Sequence, residues 1–476
     1  MTPRLDDLPL LDLSEVAAAI AEGRTTAVAA TEACLARIEA WQPALNCFIA
    51  IDREGALAAA AARDAELARG YRRGPLHGVP LAHKDMFLRK GRVSTGGSLI
   101  LRDAVAATTS TLMERLDGAG AVEVGRLNMS EFAAGPTGHN VHYGHCRNAF
   151  DRAHIAGGSS SGSGAAVAAR LVYGALGSDT GASVRLPAAA NGVVGLKPTY
   201  GRVTRHGAIA RSWSLDHVGP IARTARDCAL LLQVIAGPDP RDPTTSHRPV
   251  GDLLAPMEDT SLAGIRIGVP GDAIAGAIDP EVASALEASL RVLEKLGAGV
   301  RVVPLPDLTA LFHVAETIIK CEAAAMHRPW LEARPQDYGK HVRLRIEAGF
   351  HIPATQYIDA LRLRATMTER FLAETMAEVD LLHLPVLPIP VPTLEETDVD
   401  GAGGEAVVAV VGRITAFTRP FNLLGLPAVS VPCGFCRKGL PIAYQLVGRP
   451  FAEALLLRVV NAYQQATDHH RKVPVL

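Results

Sequence analysis

The chain has 476 residues, 48% of them hydrophobic and 20% charged, with a formal net charge of −1 at pH 7. That is ample apolar material for a large core, and a near-neutral chain without a long run of one sign excludes an electrostatic footprint for nucleic acid or an anionic membrane. No uncharged apolar stretch reaches spanning length, and the opening residues MTPRLDDLPLLDLSE carry acids where a secretory signal would be basic, so a cytoplasmic protein is expected.

Helical periodicity opens the chain. Ser14 is placed to cap Glu15 to Glu22, Thr26 to cap the run to Trp41, and an alanine-rich stretch spans Arg53 to Arg69, so residues 1–70 read as a helical packing layer. The short apolar run Gly78 to Ala82 reads as a strand that delivers Lys84 at its end, where α/β folds expose reacting groups. Thr111 to Asp117 then reads as helix and Ala121 to Val124 as strand, an α/β alternation. After the glycine-rich region between residues 157 and 185 comes an amphipathic helix, Thr224 to Ala236, broken by Gly237-Pro238-Asp239-Pro240 and a polar excursion from Asp239 to Ser261.

Ile265 to Val269 and Val300 to Val303 read as strands around a helix over Pro280 to Leu296, a βαβ-like unit. Long helical patterns cover Leu308 to His327 and Thr355 to Met376, with a looser stretch from Pro329 to Pro353 between them. A strand from Asp380 to Pro385 leads into VLPIPVPTLEETDVDGAGGE, whose prolines, acids and glycines predict a mobile flap. The chain closes with a helix around Val407 to Phe417, strands over Ala428 to Pro432 and Pro441 to Val447, and a helix from Ala452 to Gln465. With no internal repeat and no clean linker, a single domain over residues 1–476 is expected.

Cysteine and histidine usage points away from redox and metal chemistry. The cysteines at 34, 47, 146, 228, 321, 433 and 436 are odd in number and scattered, unlike a disulfide framework, and Cys433-Gly-Phe-Cys436 is a lone C-x-x-C at a strand end. His139, His142 and His145 recur every third residue, but Asn140 and Gly144 between them argue for a loop, and a metal would need further ligands. They read as pocket-wall or surface residues, and no metal or organic cofactor is expected.

The stretch GGSSSGSGAAVAARLVYGALGSDTGASVR, Gly157 to Arg185, concentrates hydroxyls and glycines in two loops around the helical pattern Ala165 to Leu171. In the second loop, Ser178-Asp179-Thr180-Gly181-Ala182-Ser183, successive N–H groups can converge on one point and hold an anion, with a serine at the turn. Three readings of such loops compete. A phosphate-binding loop lacks the Lys-Ser/Thr that should follow its glycines. A hydrolase elbow fits Gly158-Ser159-Ser160-Ser161-Gly162 formally, with Ser160 as nucleophile. A plain turn fits the composition equally well.

Three segments in chain order, GGSSSGSGAAVAA, GSDTGASVRLPAA and NGVVGLKPTYGRV, resemble the amidase signature family, whose pattern is near GGSSGGS, GTDTGGSIR and GVVGLKPT. The resemblance extends to GPLHGVPLAHKD (74–85), VGRLNMSEF (124–132), SLDHVGPIARTARD (214–227) and FNLLGLPAVSVPCG (421–434). It implies an α/β fold with a mixed β-sheet core covered by helices on both faces, a signature core over residues 74–230 and a variable, pocket-forming region over 240–400.

It also implies a Ser–Ser–Lys triad: Ser183 as nucleophile, Ser159 as the bridging serine on a cis peptide, and Lys84 as the base. The N–H groups of Thr180, Gly181, Ala182 and Ser183 would form the oxyanion hole, with Asp179 and Arg185 bracing the loop and Ser160 donating hydrogen bonds beside the triad. Such a lysine must rest unprotonated, which burial favours and arginine could not achieve, and only 8 of the chain's 48 basic residues are lysine. Ala182 and Ser161 stand where the family usually has glycine.

The function implied is hydrolysis of a small-molecule carboxamide to an acid plus ammonia or an amine through an acyl-serine, by an enzyme free to form a homodimer. The alternative is the glutamine-hydrolysing component of a tRNA-dependent amidotransferase, working with partner subunits. Thr415 falls where that component would hold glutamine's α-amino group with an acid, and Arg364 aligns with an arginine able to meet a carboxylate. An esterase using Ser160 ranks behind both.

Overall fold

The computed structural model describes residues 5–401 and 404–475. Eleven strands, β1 (Phe48–Ile51), β2 (Pro80–Lys84), β3 (Val122–Leu127), β4 (Gly174–Asp179), β5 (Val194–Lys197), β6 (His217–Ala222), β7 (Arg266–Val269), β8 (Gly299–Val302), β9 (Leu381–Pro385), β10 (Ala428–Phe435) and β11 (Pro441–Gly448), join into one sheet ordered β1-β3-β2-β4-β6-β5-β10-β11-β9-β7-β8. The sheet is mixed. β2 runs parallel to β3 and β4, and β7 parallel to β8 and β9, while β4, β6, β5, β10, β11 and β9 pair antiparallel in succession.

Both faces of the central strands are covered, and the strand sequences say why. Side chains alternate across a strand, and Leu81, Leu176 and Ala222 enter one apolar cluster while their neighbours Ala82, Ala175 and Ile221 enter another. The first face is packed by Leu13–Ala21, Ala225–Ile235 and Glu453–Gln465, the second by Ala27–Leu45, Arg53–Ala68 and Ser161–Ala168. β4 carries no charged side chain until its last residue, Asp179, and all six of its residues are buried.

Several boundaries move from the sequence expectation. The helix capped by Thr26 continues past Trp41 through Pro43 to Leu45, and the helix begun at Leu308 continues past Pro329 to Ala333. Asp12, not Ser14, caps Leu13–Ala21. Ser160 rather than Ala165 opens the glycine-rich helix, which is Ser161–Ala168.

The flap expectation is corrected for its first half. Val386, Leu387, Val391 and Thr397 are buried, the Pro392 carbonyl accepts from Ile155 N at 3.1 Å, and Leu394 N donates to the Ala153 carbonyl at 2.9 Å. The prolines there shape a segment laced to the body of the protein. Residues 402–403 of that stretch, and residues 1–4 of the acidic N-terminus, lie outside the described residues.

Candidate active site

Lys84 is the last residue of β2 and is 1% exposed. Its Nζ lies 2.7 Å from Ser159 Oγ and donates to Ser178 Oγ at 2.8 Å. Burial pulls its pKa from 10.5 down to about 7; Asp216 and Asp179 draw it back up, and Arg211 lowers it further. An amine so placed is substantially neutral near pH 7, and its lone pair can then accept the Ser159 proton.

Ser159 is held by its backbone. The Gly158–Ser159 peptide is cis, Gly158 N donates to the Pro136 carbonyl at 2.7 Å, and the Ser159 carbonyl accepts from Ser130 N at 3.1 Å. The next serine is a different kind of group. Ser160 Oγ is fully buried, accepts from Ser178 N at 3.2 Å and donates to the Ser178 carbonyl at 3.3 Å. It packs so closely on β4 that a Cβ at Gly177 would fall 2.7 Å from it, so only glycine fits there. With donor and acceptor both occupied by backbone, Ser160 is not presented as an elbow nucleophile.

Ser183 sits in the wall of a small pocket with Thr180, Gly181 and Ala182. Its carbonyl accepts from Ser160 N at 3.3 Å; among the described residues no hydrogen bond joins its hydroxyl to Ser159 or Lys84. The N–H groups of Thr180, Gly181, Ala182 and Ser183 have no protein acceptor among the described residues, whereas those of Val184 and Arg185 are taken by Asp179 Oδ2 at 3.2 and 3.4 Å. The loop therefore presents four consecutive free donors, the arrangement that stabilises a developing oxyanion.

Asp179 organises that loop. It is wholly buried with Arg185, whose Nε and Nη2 reach Oδ2 at 3.0 Å and Oδ1 at 3.1 Å; Arg185 also donates to Asn422 Oδ1 at 2.7 Å and Gln445 Oε1 at 3.0 Å, and Asn422 Nδ2 returns to Asp179 Oδ1 at 2.9 Å. Burial alone would raise the carboxyl's pKa, but the Arg185 guanidinium outweighs it and holds Asp179 well below the usual carboxylate range. Asp179→Asn leaves Arg185 buried without its counter-charge, and a stability loss of about 3 kcal/mol or more is expected in denaturant unfolding. A loss below about 1 kcal/mol would show the pair is not what holds the loop.

Both departures from the family pattern are absorbed by packing. Ala182 is 2% exposed within the apolar core, and Ser161 Oγ donates to the Asn128 carbonyl at 3.3 Å. Thr180 is tied to Asp216, Oγ1 to Oδ1 at 2.5 Å, and Asp216 Oδ2 accepts from the N–H groups of Arg211 and Ser212 at 2.8 and 3.0 Å. Ser178, Asp216, Asn422 and Gln445 were not singled out by sequence reasoning. Ser178 and Asp216 fall inside the quoted motifs, but Asn422 and Gln445 carry no local signal.

Other expectations resolve differently. Arg364 does not line the Ser183 pocket: it donates to the carbonyls of Leu423 at 2.6 Å and Ser214 at 2.9 Å and stacks over Tyr200. Arg345 lines the pocket instead, and Thr415 is in its wall. The histidines are engaged locally, His139 with Thr137 Oγ1 and the Leu394 carbonyl, and His142 with Glu131. Cys433 and Cys436 are buried, and burial pushes the Cys433 thiol up to about 12.

A family model for amidases matches residues 29–457. The chain belongs to the amidase signature family. It is accordingly an amidase, a hydrolase of carbon–nitrogen bonds in amides. Among curated relatives, the GatA-type component of the glutamyl-tRNA(Gln) amidotransferase of Azotobacter vinelandii is 41% identical over 487 residues, covering 98% of this chain and 99% of that one.

Among solved structures, this amidase superposes with a TM-score of 0.88 on a chain described with a vestigial protein complex and the origins of an s-triazine catabolic enzyme, at 36% identity over 96% of this chain and 98% of the other. It superposes with a TM-score of 0.85 on the peptide amidase PAM in complex with chymostatin, at 30% identity over 98% and 99%.

Proposed function

We propose that this amidase hydrolyses a carboxamide through an acyl-Ser183 intermediate, with Ser159 and Lys84 moving the proton. The observation that carries the reading is a buried amine of depressed pKa 2.7 Å from a buried hydroxyl, beside a pocket where a second hydroxyl meets four free backbone donors.

In this reading Ser183 Oγ forms a bond to the amide carbon as its proton passes to Ser159, whose own proton passes to Lys84 Nζ. The carbonyl π electrons move to oxygen, which the N–H groups of residues 180–183 receive. Collapse breaks the C–N bond, and the proton on Lys84 returns through Ser159 to the departing nitrogen. Water then attacks the acyl carbon by the same relay, releasing the acid and restoring Ser183. The Asp179–Arg185 pair keeps the donor loop in place, so the field is set before charge develops.

The test is to quench the full chain during turnover of an amide and map the acyl mass by peptide analysis. The adduct is expected on the peptide bearing Ser183, with ammonia or amine released ahead of acid. An adduct on Ser160, or turnover with no adduct and no burst, would refute it.

A second reading is the one the sequence relatives favour: 41% identity over nearly the full length to an amidotransferase component supports a chain that takes ammonia from glutamine and hands it to partner proteins. The bond chemistry is shared; the donor and the assembly differ. Glutaminase activity of the chain with and without candidate partners separates the two.

A further inference from the structure

The pocket beside Ser183 has a charge pattern that neither a neutral amide nor glutamine would require. Three arginines, Arg211, Arg345 and Arg419, line it against one carboxylate, Glu316, leaving two positive charges in excess. They come from separate places: the loop tethered by Asp216, the helix Lys340–Glu347, and the residue before the helical turn Pro420–Leu423.

Two of them are deeply buried and only partly used. Arg211 is 7% exposed and Arg419 is 8% exposed, and among the described residues Arg211 Nη1 and Arg419 Nε have no hydrogen-bond partner. Arg419 pairs with Glu316 and lies over the Phe312 ring with its Cζ 4.2 Å from the centroid. Its Nε faces the donor loop, since a methyl placed on Gly181 would fall 3.0 Å away. Buried guanidinium N–H groups without acceptors are costly, and a bound anion would satisfy them.

The pocket's acid is not free to receive an ammonium. Glu316 is held between Arg419, Arg345 at 3.9 Å and Lys320 at 3.5 Å, while Thr415 stands in the wall where a carboxylate could have met one. Asp216, behind Arg211, is spent on the Thr180 hydroxyl and two backbone amides.

We propose that this pocket is an anion site built on Arg211 and Arg419, and that the amide it takes carries a carboxylate and no ammonium, as in the half-amide of a short dicarboxylic acid. The inference rests on Ser183 being the acylated residue. Because Arg419 Nε abuts Gly181, two residues from Ser183, the carboxylate would lie within a few bonds of the scissile carbonyl.

The probes are succinamate, butyramide as its neutral isostere, and L-glutamine. With the full chain, kcat/KM for succinamate is expected to exceed that for the other two by about 10- to 100-fold, the range for a charge-assisted contact. Arg211→Gln should cut the succinamate-to-butyramide ratio by about tenfold or more, with Arg211→Lys restoring part of it. The double variant Glu316→Gln/Arg419→Gln, which removes that ion pair whole and so avoids stranding a buried charge, should do the same.

Equal turnover of succinamate and butyramide, or a preference for glutamine, overturns the proposal and leaves acyl-Ser183 chemistry standing. If no amide turns over, calorimetry of succinate binding to wild type and Arg211→Gln decides: arginine-dependent binding upholds the anion site while the catalytic reading fails, and absence of binding overturns the site.

Discussion

Lys84→Met abolishes amide turnover, with kcat reduced about 10³-fold or more, because among the described residues no other basic group contacts Ser159. The longer-range signature is in pH. The wild-type rate is expected to rise as pH passes through about 7, where the buried amine loses its proton, and to level off above it. Stability carries the same proton. Between about pH 7 and 10.5 the unfolded chain holds a proton on Lys84 that the folded chain does not, so this group makes stability rise with pH across that window. The difference in unfolding free energy between wild type and Lys84→Met should therefore change by about 1.4 kcal/mol per pH unit there. A variant that keeps its activity, or a wild-type profile flat across the pH range around neutrality, would remove Lys84 from the relay.

Ser183→Ala is expected to lower kcat about 10⁴-fold, the scale on which loss of a nucleophile leaves only binding and oxyanion stabilisation. Ser160→Ala, by contrast, removes a hydroxyl whose partners are the Ser178 backbone groups. It should cost about 1–3 kcal/mol of stability by leaving a buried N–H unsatisfied, with kcat reduced by no more than about tenfold. The pair of variants is decisive because the serines lie in adjacent loops and match rival motifs. If Ser160→Ala is the dead enzyme and Ser183→Ala the active one, the acyl group has been assigned to the wrong loop. Rates read by ammonia release, with folding checked by circular dichroism, keep catalysis and stability apart.

Much of the fold was legible because its signals are local. Apolar runs bounded by glycine and proline mark β4, β10 and β11, and Thr224 caps the helix Ala225–Ile235 as its sequence implies. Prolines misled where they are tolerated: Pro43 and Pro329 lie inside helices whose other residues pack well, and the prolines after Val386 shape a docked segment. No local pattern told that the carbonyls of Pro392 and Leu394 would be claimed by Ile155 and His139, because hydrogen bonds between distant segments leave no periodicity.

The candidate site divides in the same way. The amino-acid sequence determined the family, the class of reaction and which loops present hydroxyls and backbone donors, since each depends on residue types at short spacing. Tertiary structure alone decided that Lys84 is buried enough to be neutral near pH 7, that Ser178 is its second partner, that Asn422 and Gln445 brace Arg185, and that Arg345 rather than Arg364 lines the pocket. It also brought Arg211, Arg345 and Arg419 around one small cavity. The physical reason is that pKa and charge complementarity follow from desolvation and from charges only a few ångströms away, and those neighbours come from strands and helices far apart along the chain.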